Sequence, residues 1–268
     1  MTGESIDTHK LVQEQFGAVA SAYTVSAGHS DKDALQRVVE LAKPVPSDVA
    51  LDIATGAGHV ALALAPHVAQ VTAYDLTPQM LEETAHNAAA RGLHNLTTQE
   101  GAAESLPYRD SSFEIVTCRI APHHFADIQK AVDEMARVLK PGGRVVVVDT
   151  TVPESETEDR QINYIEWRRD PSHVRNYPPG EWRSIFEKAG LQVTYLEAAH
   201  PPQEPLSFAD WTTRMRTPPD AAEEIAGLLR SASPALQKAL KVEIKGPTNE
   251  DIYFTLLRVT IVGEKKLP

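Results

Sequence analysis

The stretch LDIATGAGHVAL, residues Leu51 to Leu62, ends an apolar run on Asp52 and follows it with Gly56, Gly58 and the small Ala61. Its spacing fits G-x-G-x-x-G/A, the glycine turn that joins a first strand to a first helix in nucleotide-binding α/β sheets. A glycine pattern this short has meaning only if a strand precedes it and a helix follows. Both do: VALDIA reads as a buried strand and HVALALAPHV as a helix.

Outward from that turn the alternation continues. QVTAYDL precedes the helical TPQMLEETAHNAAARGL, and NLTTQEGA supplies a third, edge strand, which completes a βαβαβ half. FEIVTCRI, the amphipathic DIQKAVDEMARVLK, a Pro141-Gly142-Gly143 turn and RVVVVDT extend it, the last as a strand buried on both faces. Beyond Thr150 a looser region runs through the acidic helix start ESETED to the helix EWRSIFEKAG, ended by Gly190, and the strand LQVTYLEAA. Pro218, Pro219 and Pro234 cut the stretch from Ser207 to Leu240 into short helices, and IYFTLLRVTIVG reads as a final antiparallel strand. The expectation is one α/β domain: a doubly wound, mostly parallel seven-stranded sheet with a flap over 1–47, a core over 48–150, and a substrate cover over 151–268. A helical lid over about 207–240 is inserted before the last strand, with Trp211, Met215, Ile225, Leu228 and Leu229 as its apolar face.

Composition narrows the function. The 268 residues carry 37 acids against 26 bases, a formal charge of -11, which opposes a phosphate backbone and argues against a nucleic-acid partner. No apolar run approaches the roughly 18 residues that a membrane span needs. The opening MTGESIDTHK is polar and unlike a leader, so the expected location is the cytoplasm. Cys118 is the only cysteine, which excludes an internal disulfide and a cysteine-cluster metal site, and as the end of an apolar strand it reads as a small buried hydrophobe. Whether the chain forms a homo-oligomer is open.

What the loop holds is decided by two acids. Asp75 ends the second strand about 20 residues past the glycines, where an acid accepts bonds from ribose hydroxyls. Asp52 lies where a dinucleotide would set its pyrophosphate, and a carboxylate there repels phosphate. S-adenosylmethionine instead presents an ammonium and a sulfonium, which an acid favours directly or through water.

LDIATGAGHVALALA, VTAYDLTPQML, GAAESLPYRDSSFEIVTCRIAPHHF and EMARVLKPGGRVVVVD, in that order, resemble the class I S-adenosylmethionine-dependent methyltransferases, most closely the ubiquinone/menaquinone-type branch. The resemblance runs from about Phe16 to Thr150. It implies a glycine loop of Asp52, Thr55, Gly56 and Gly58, a ribose acid at Asp75, and Leu76 and Met80 packed near the adenosine. The acid that many relatives place after the third strand is here Ala102, which leaves the adenine to backbone groups of Ala102 and Ala103 and leaves the role of Glu104 open. Arg119 falls at the methionine end of the cofactor. The branch's own Tyr-Asp opening and His-Arg-x-Trp-Lys run are not reproduced in AYTVSAGHSDKDAL, so the quinone pathway is not assigned.

Methyl transfer from a sulfonium needs in-line positioning and exclusion of water, with a base only when the acceptor atom carries a proton. His123 and His124 follow the fourth strand at the ligand-binding edge and are the candidate catalytic residues, against the alternative that they pack the loop or cap Asp127. Tyr23 and Ser26, three apart on a flap segment, share a face and are candidates for the cofactor carboxylate; His29 is a lesser base candidate. Tyr164, Trp167, His173, Arg175 and Tyr177 combine rings and cations that suit an aromatic or anionic small substrate, against a solvated turn with Trp167 and Trp182 in the core. No metal site is expected, since adjacent histidines seldom face one point. Two other classes stay in view: a protein that binds S-adenosylmethionine without methyl transfer, as a sensor or cofactor-assisted cyclase, and an NAD-dependent oxidoreductase.

Overall fold

The computed structural model describes residues 8–17, 31–200 and 205–267. Its centre is a seven-stranded sheet in the order β3-β2-β1-β4-β5-β10-β6. These strands are β1 (Val49–Ile53), β2 (Gln70–Asp75), β3 (Leu96–Glu100), β4 (Phe113–Arg119), β5 (Leu139–Thr150), β6 (Leu191–Ala199) and β10 (Arg258–Lys265). Strands β1 to β5 pair in parallel, and β10 runs antiparallel to both β5 and β6. The order reverses between β1 and β4, where open α/β sheets leave a crevice at their carboxyl ends.

Ten helices surround the sheet among the described residues: α1 (Thr8–Gly17), α2 (Lys32–Ala42), α3 (His59–Leu64), α4 (Pro78–Ala90), α5 (Ile128–Val138), α6 (Glu156–Arg169), α7 (Pro179–Lys188), α8 (Phe208–Arg214), α9 (Pro219–Arg230) and α10 (Pro234–Leu240). The strand pattern decides which helix covers which face. On one side Leu51, Val116, Cys118, Val145 and Val147 meet α5 and α7; on the other Ala50, Val71, Ile115 and Val146 meet α2 and α3. Alternate side chains of each strand thus bury against opposite layers, which is why RVVVVDT has no polar face. The edge strand β3, by contrast, is mostly exposed.

Three expectations change. The Pro141-Gly142-Gly143 turn lies within β5, where the register slips between Phe113↔Leu139 and Ile115↔Arg144; Gly142, at φ 80°, takes up the extra residues as a bulge. IYFTLLRVTIVG is two strands, because β9 (Ile252–Phe254) leaves the main sheet to pair with β7 (Leu206–Ser207) and β8 (Glu243–Ile244). The stretch from Ser207 to Leu240 buries its apolar face in a third core: Phe208, Trp211, Ile225 and Leu229 pack with Ile162 and Ile165 of α6 and with Phe254. Met215 is buried as expected, and Leu228 is partly buried at the edge of this cluster. The apolar side of α6 is therefore what these helices cover, and not the crevice.

Candidate functional site

The carboxyl ends of β1, β2 and β4 frame a cleft of ≈ 980 Å³, part of it open to solvent. Residues 52–57 and 74–77 form its floor, Gly101 to Glu104 one side, and Arg119, Ile120, Ala121, His124 and Phe125 the other. His9, Val12 and Phe16 of α1 close the top, so the helix that covers the cleft comes from the N-terminal region and not from 207–240. Gln13 Nε2 donates to the Leu76 carbonyl (2.9 Å), Gln15 Nε2 to the Met215 carbonyl (2.9 Å), and His9 meets Glu104 at 3.3 Å.

Asp52 organises the loop. Thr55 Oγ1 donates to its Oδ2 at 2.6 Å, the Ala61 N–H at 3.1 Å, and Thr117 Oγ1 donates to Oδ1 at 2.7 Å. One carboxylate thereby ties the glycine turn, the start of α3 and β4 together. Burial pushes its pKa up to about 6 against those three donors, with the nearby Asp75 adding to the rise. Asp52 lines the cleft, but as a buried hub whose oxygens already have protein partners.

Asp75 receives the Gly56 N–H on Oδ2 and the Thr77 N–H on Oδ1, each at 2.8 Å, and burial outweighs these bonds to raise its pKa. The two glycines have different duties. A Cβ on Gly56 (φ 56°) would meet nothing within 4 Å, so that backbone borders open space; on Gly58 (φ 83°) it would lie 2.7 Å from Thr84 Cγ2, so that glycine lets α4 close on α3. Ala54 (φ 52°) and Ile120 (φ 53°), both cleft residues, hold left-handed backbone without being glycine, a strain of about 1–3 kcal/mol each.

On the far side the Ala102 carbonyl accepts Tyr74 Oη (3.2 Å) and the Ser105 N–H (3.1 Å), and the Gly101 N–H donates to the Asp75 carbonyl (2.9 Å). A Cβ on Gly101 would fall 1.9 Å from Tyr74 Oη, a close approach the glycine pattern did not reveal. Glu104 has a structural duty: its Oε1 accepts the Ala126 N–H (2.9 Å) and anchors the loop before α5. Arg119 lines the cleft with its pKa pushed down to about 10 by burial and by the charge of Arg258, while Asp31 and Asp52 oppose that fall. Leu76 and Met80 border the cleft as expected, and Tyr23, Ser26 and His29 lie outside the described residues.

The histidine pair is separated by its partners. His123 donates its backbone N–H to Asp149 Oδ2 (2.9 Å), and its Nδ1 lies 2.6 Å from Oδ1, which fixes the proton on Nδ1 and leaves Nε2 to accept. Burial lowers its pKa, but the Asp149 charge and hydrogen bond more than reverse this, so the net shift is upward. His124 lines the cleft with Phe16 edge-on at 4.9 Å; its Nδ1 lies 3.0 Å from the Ser172 carbonyl. Burial and the neighbouring His123 push it down to about 4, so it is neutral near pH 7. His173 lies 5.6 Å from His123 with the rings tilted by 38°, its Nε2 is 3.0 Å from Asn163 Oδ1, and its pKa is well below the ordinary histidine value, through burial and the other two rings. Asp149, Asp170 and Thr117 were not singled out in the sequence. Asp149 had a signal, as the one acid at the carboxyl end of an all-apolar central strand.

The other aromatic and cationic candidates do not converge. Trp167 and Tyr164 are 48% and 42% exposed, Arg175 pairs with Asp159 and Glu181, and Tyr177 is buried beside Trp182, which is itself in the core. Among the described residues no group of His, Cys, Asp or Glu could hold a metal ion, and no helix is long and apolar enough to cross a membrane.

A family model described as a methyltransferase domain matches residues 51–147. A protein of Bacillus subtilis (strain 168) named "Uncharacterized methyltransferase YcgJ" is 38% identical over 216 residues, 81% of this chain and 84% of its own length. Its crystal structure aligns with a TM-score of 0.81 at 36% identity, covering 88% of this chain and 99% of that one. A demethylmenaquinone methyltransferase of Deinococcus radiodurans is 37% identical over 161 residues, 57% of this chain and 66% of its own.

Proposed function

Because the chain belongs to the S-adenosylmethionine-dependent methyltransferases, we propose that it methylates a small molecule held at the carboxyl edge beside His123 and His124. The cleft suits the cofactor: open space over Gly56, a carboxylate at Asp75, apolar Leu76 and Met80, and the cation Arg119 at the end of β4. When bound, the cofactor supplies an electrophilic methyl on a sulfonium, so the barrier is lowered mainly by alignment and by keeping water out.

The chain's residues divide that work. Asp75 accepts the ribose hydroxyls with the lone pairs that Gly56 and Thr77 leave free; the N–H groups of Ala102 and Ala103 meet the adenine. Arg119, with Tyr23 and Ser26 of the N-terminal flap, takes the carboxylate end. Asp52 holds the loop and contributes its charge through space rather than through a direct bond. His123 removes the proton of the acceptor atom: Asp149 keeps its Nδ1 protonated and stabilises the imidazolium that forms. Neutral His124 shapes the wall between them. The observation that carries the reading is this 2.6 Å Asp149–His123 contact one residue from a cleft-lining histidine.

The charge of -11 and the single cysteine support a cytoplasmic enzyme acting on a metabolite and not on nucleic acid, as a monomer or homo-oligomer. The test is release of S-adenosylhomocysteine from a panel of phenols, quinols and amines, with parent and His123→Asn. Turnover of an acceptor is expected, with an acid limb above the ordinary histidine range because the His123 pKa is raised. His123→Asn is expected to lower it by about 10²–10⁴-fold and remove that limb. Cofactor binding with no methylated product across the panel would favour the non-transferring alternatives.

A further inference from the structure

Arg258 opens β10 at the same edge of the sheet where β4 and β5 end. It pairs with Thr150, while Arg119 pairs with Val148, two residues earlier on β5. Residues in register, or two apart, share a face, so the two arginines project from the same side of the sheet, that of α2. Burial lowers the Arg258 pKa, the charges of Asp149, Asp31 and Glu166 oppose that fall, and the charge of Arg214, which ends α8, adds to it.

Arg258 and Arg214 have a second property in common. The Nε of each is buried without a hydrogen-bond partner, and among the described residues neither guanidinium forms an ion pair. A desolvated, unpartnered guanidinium is costly, and the acids nearest Arg258 each have a partner of their own. Asp149 holds His123 with both oxygens, Asp31 caps α2 through the Asp33 and Ala34 N–H groups, and Glu166 pairs with Arg169 through Oε2 at 3.4 Å, its buried Oε1 keeping no hydrogen-bond partner. In a chain with this excess of acids, two cations at the ligand edge that close no ion pair with any of them, among the described residues, mark a place for an outside anion.

We propose that Arg258 and Arg214 bind the anionic group of the methyl acceptor, a carboxylate or a phosphate. The position separates this group from the cofactor's own carboxylate. In the order β1-β4-β5-β10, Arg258 lies two strand spacings, about 10 Å, beyond β4 and away from the glycine loop, in register with Thr150, whose Oγ1 is 3.5 Å from His123 Nδ1. An acceptor anchored there presents its neutral end to His123 and the methyl. Arginine keeps its charge at every working pH and forks onto carboxylate or phosphate oxygens, which gives orientation as well as affinity.

The inference rests on the methyltransferase reading, so the test measures the two separately. Calorimetry on the full chain first titrates S-adenosylhomocysteine, then titrates the loaded protein with benzoate, inorganic phosphate and neutral benzyl alcohol. S-adenosylhomocysteine is expected to bind parent, Arg258→Gln and Arg214→Gln within about twofold. Benzoate or phosphate is expected to bind the loaded parent, benzyl alcohol is not, and each variant weakens the anion by about tenfold or more. Preference for benzoate assigns a carboxylate, and preference for phosphate a phosphate. Absence of anion binding to the loaded parent, equal binding to the variants, or a tenfold loss of S-adenosylhomocysteine in either variant overturns the assignment. Arg214, at a half-buried helix end, carries the comparison if Arg258→Gln does not fold. Failure of the parent to bind S-adenosylhomocysteine would instead remove the methyltransferase reading, and this site with it.

Discussion

Replacing Asp52 by Asn should make the protein more stable and a poorer binder of its cofactor. Burial raises the Asp52 pKa from its ordinary 3.8 to about 6 despite three donors. At about 1.4 kcal/mol per pH unit, that gap makes the ionised side chain about 3 kcal/mol costlier in the fold than in the unfolded chain. The sign follows from the raised value: the penalty is absent below pH 3.8, grows as pH rises through about 6, and is constant above. Asparagine keeps an oxygen for Thr55 and Ala61, and the Thr117 hydroxyl can turn to accept from the new amide. Allowing for imperfect replacement of that bond, Asp52→Asn should gain about 1–3 kcal/mol at pH 7.5 and nothing near pH 4. Urea unfolding at both pH values, with unchanged m, measures it. An asparagine variant less stable than the parent at pH 7.5, or a difference that does not change with pH, refutes the reasoning. Calorimetry on the same variant should show weaker S-adenosylhomocysteine binding, a cost in function for the gain in stability.

Asp75→Ala should weaken S-adenosylhomocysteine by about 1.5–3 kcal/mol, read by the same calorimetry, and an unchanged affinity in a folded variant would place the ribose elsewhere. His173 is held neutral by burial and by His123 and His124, so the unfolded chain takes up its proton first as pH falls below the ordinary 6.5. Measured against His173→Gln, the parent should lose stability between pH 7 and 5; a constant difference would count against a buried neutral ring. Removing residues 1–17 should weaken S-adenosylhomocysteine about tenfold while leaving thermal unfolding of the sheet nearly unchanged, because α1 walls the cleft yet contributes no fully buried side chain.

The half of the site that was legible in the sequence is the half that is local. Asp52, Gly56, Gly58 and Asp75 lie within one βαβ unit, where strand, turn and helix periods fix positions a few residues apart. Their partners are not local. Thr117 reaches Asp52 across 65 positions, and Asp149 reaches His123 across 26, contacts that depend on β1 and β5 both lying beside β4, which an alternating pattern does not specify. The same limit governs the helices after Thr150. Apolar spacing showed that Trp211 and Ile225 needed a surface but not which one, and α6 competed successfully with the crevice. IYFTLLRVTIVG was read as one strand because period two continues through it; the break at 255–257 follows from β9 finding partners in a separate sheet.

Turnover requires that one nucleoside leave and another enter, and α1 sets the terms of that exchange. Its ten residues hold to the body through Gln13, Gln15, His9 and the Phe16 ring, without one side chain sunk into a core. Three hydrogen bonds at about 1 kcal/mol each, with the Phe16 ring contact besides, make its lifted form at least about 3 kcal/mol less stable, at most roughly one molecule in a hundred. That fraction is small enough to shelter the sulfonium from water for most of the time. It is large enough to renew the nucleoside many times a second without disturbing the sheet, since helix undocking of this size takes microseconds to milliseconds. Among the described residues, α1 is the helix that borders the cleft from the N-terminal side and would have to lift for the nucleoside to pass.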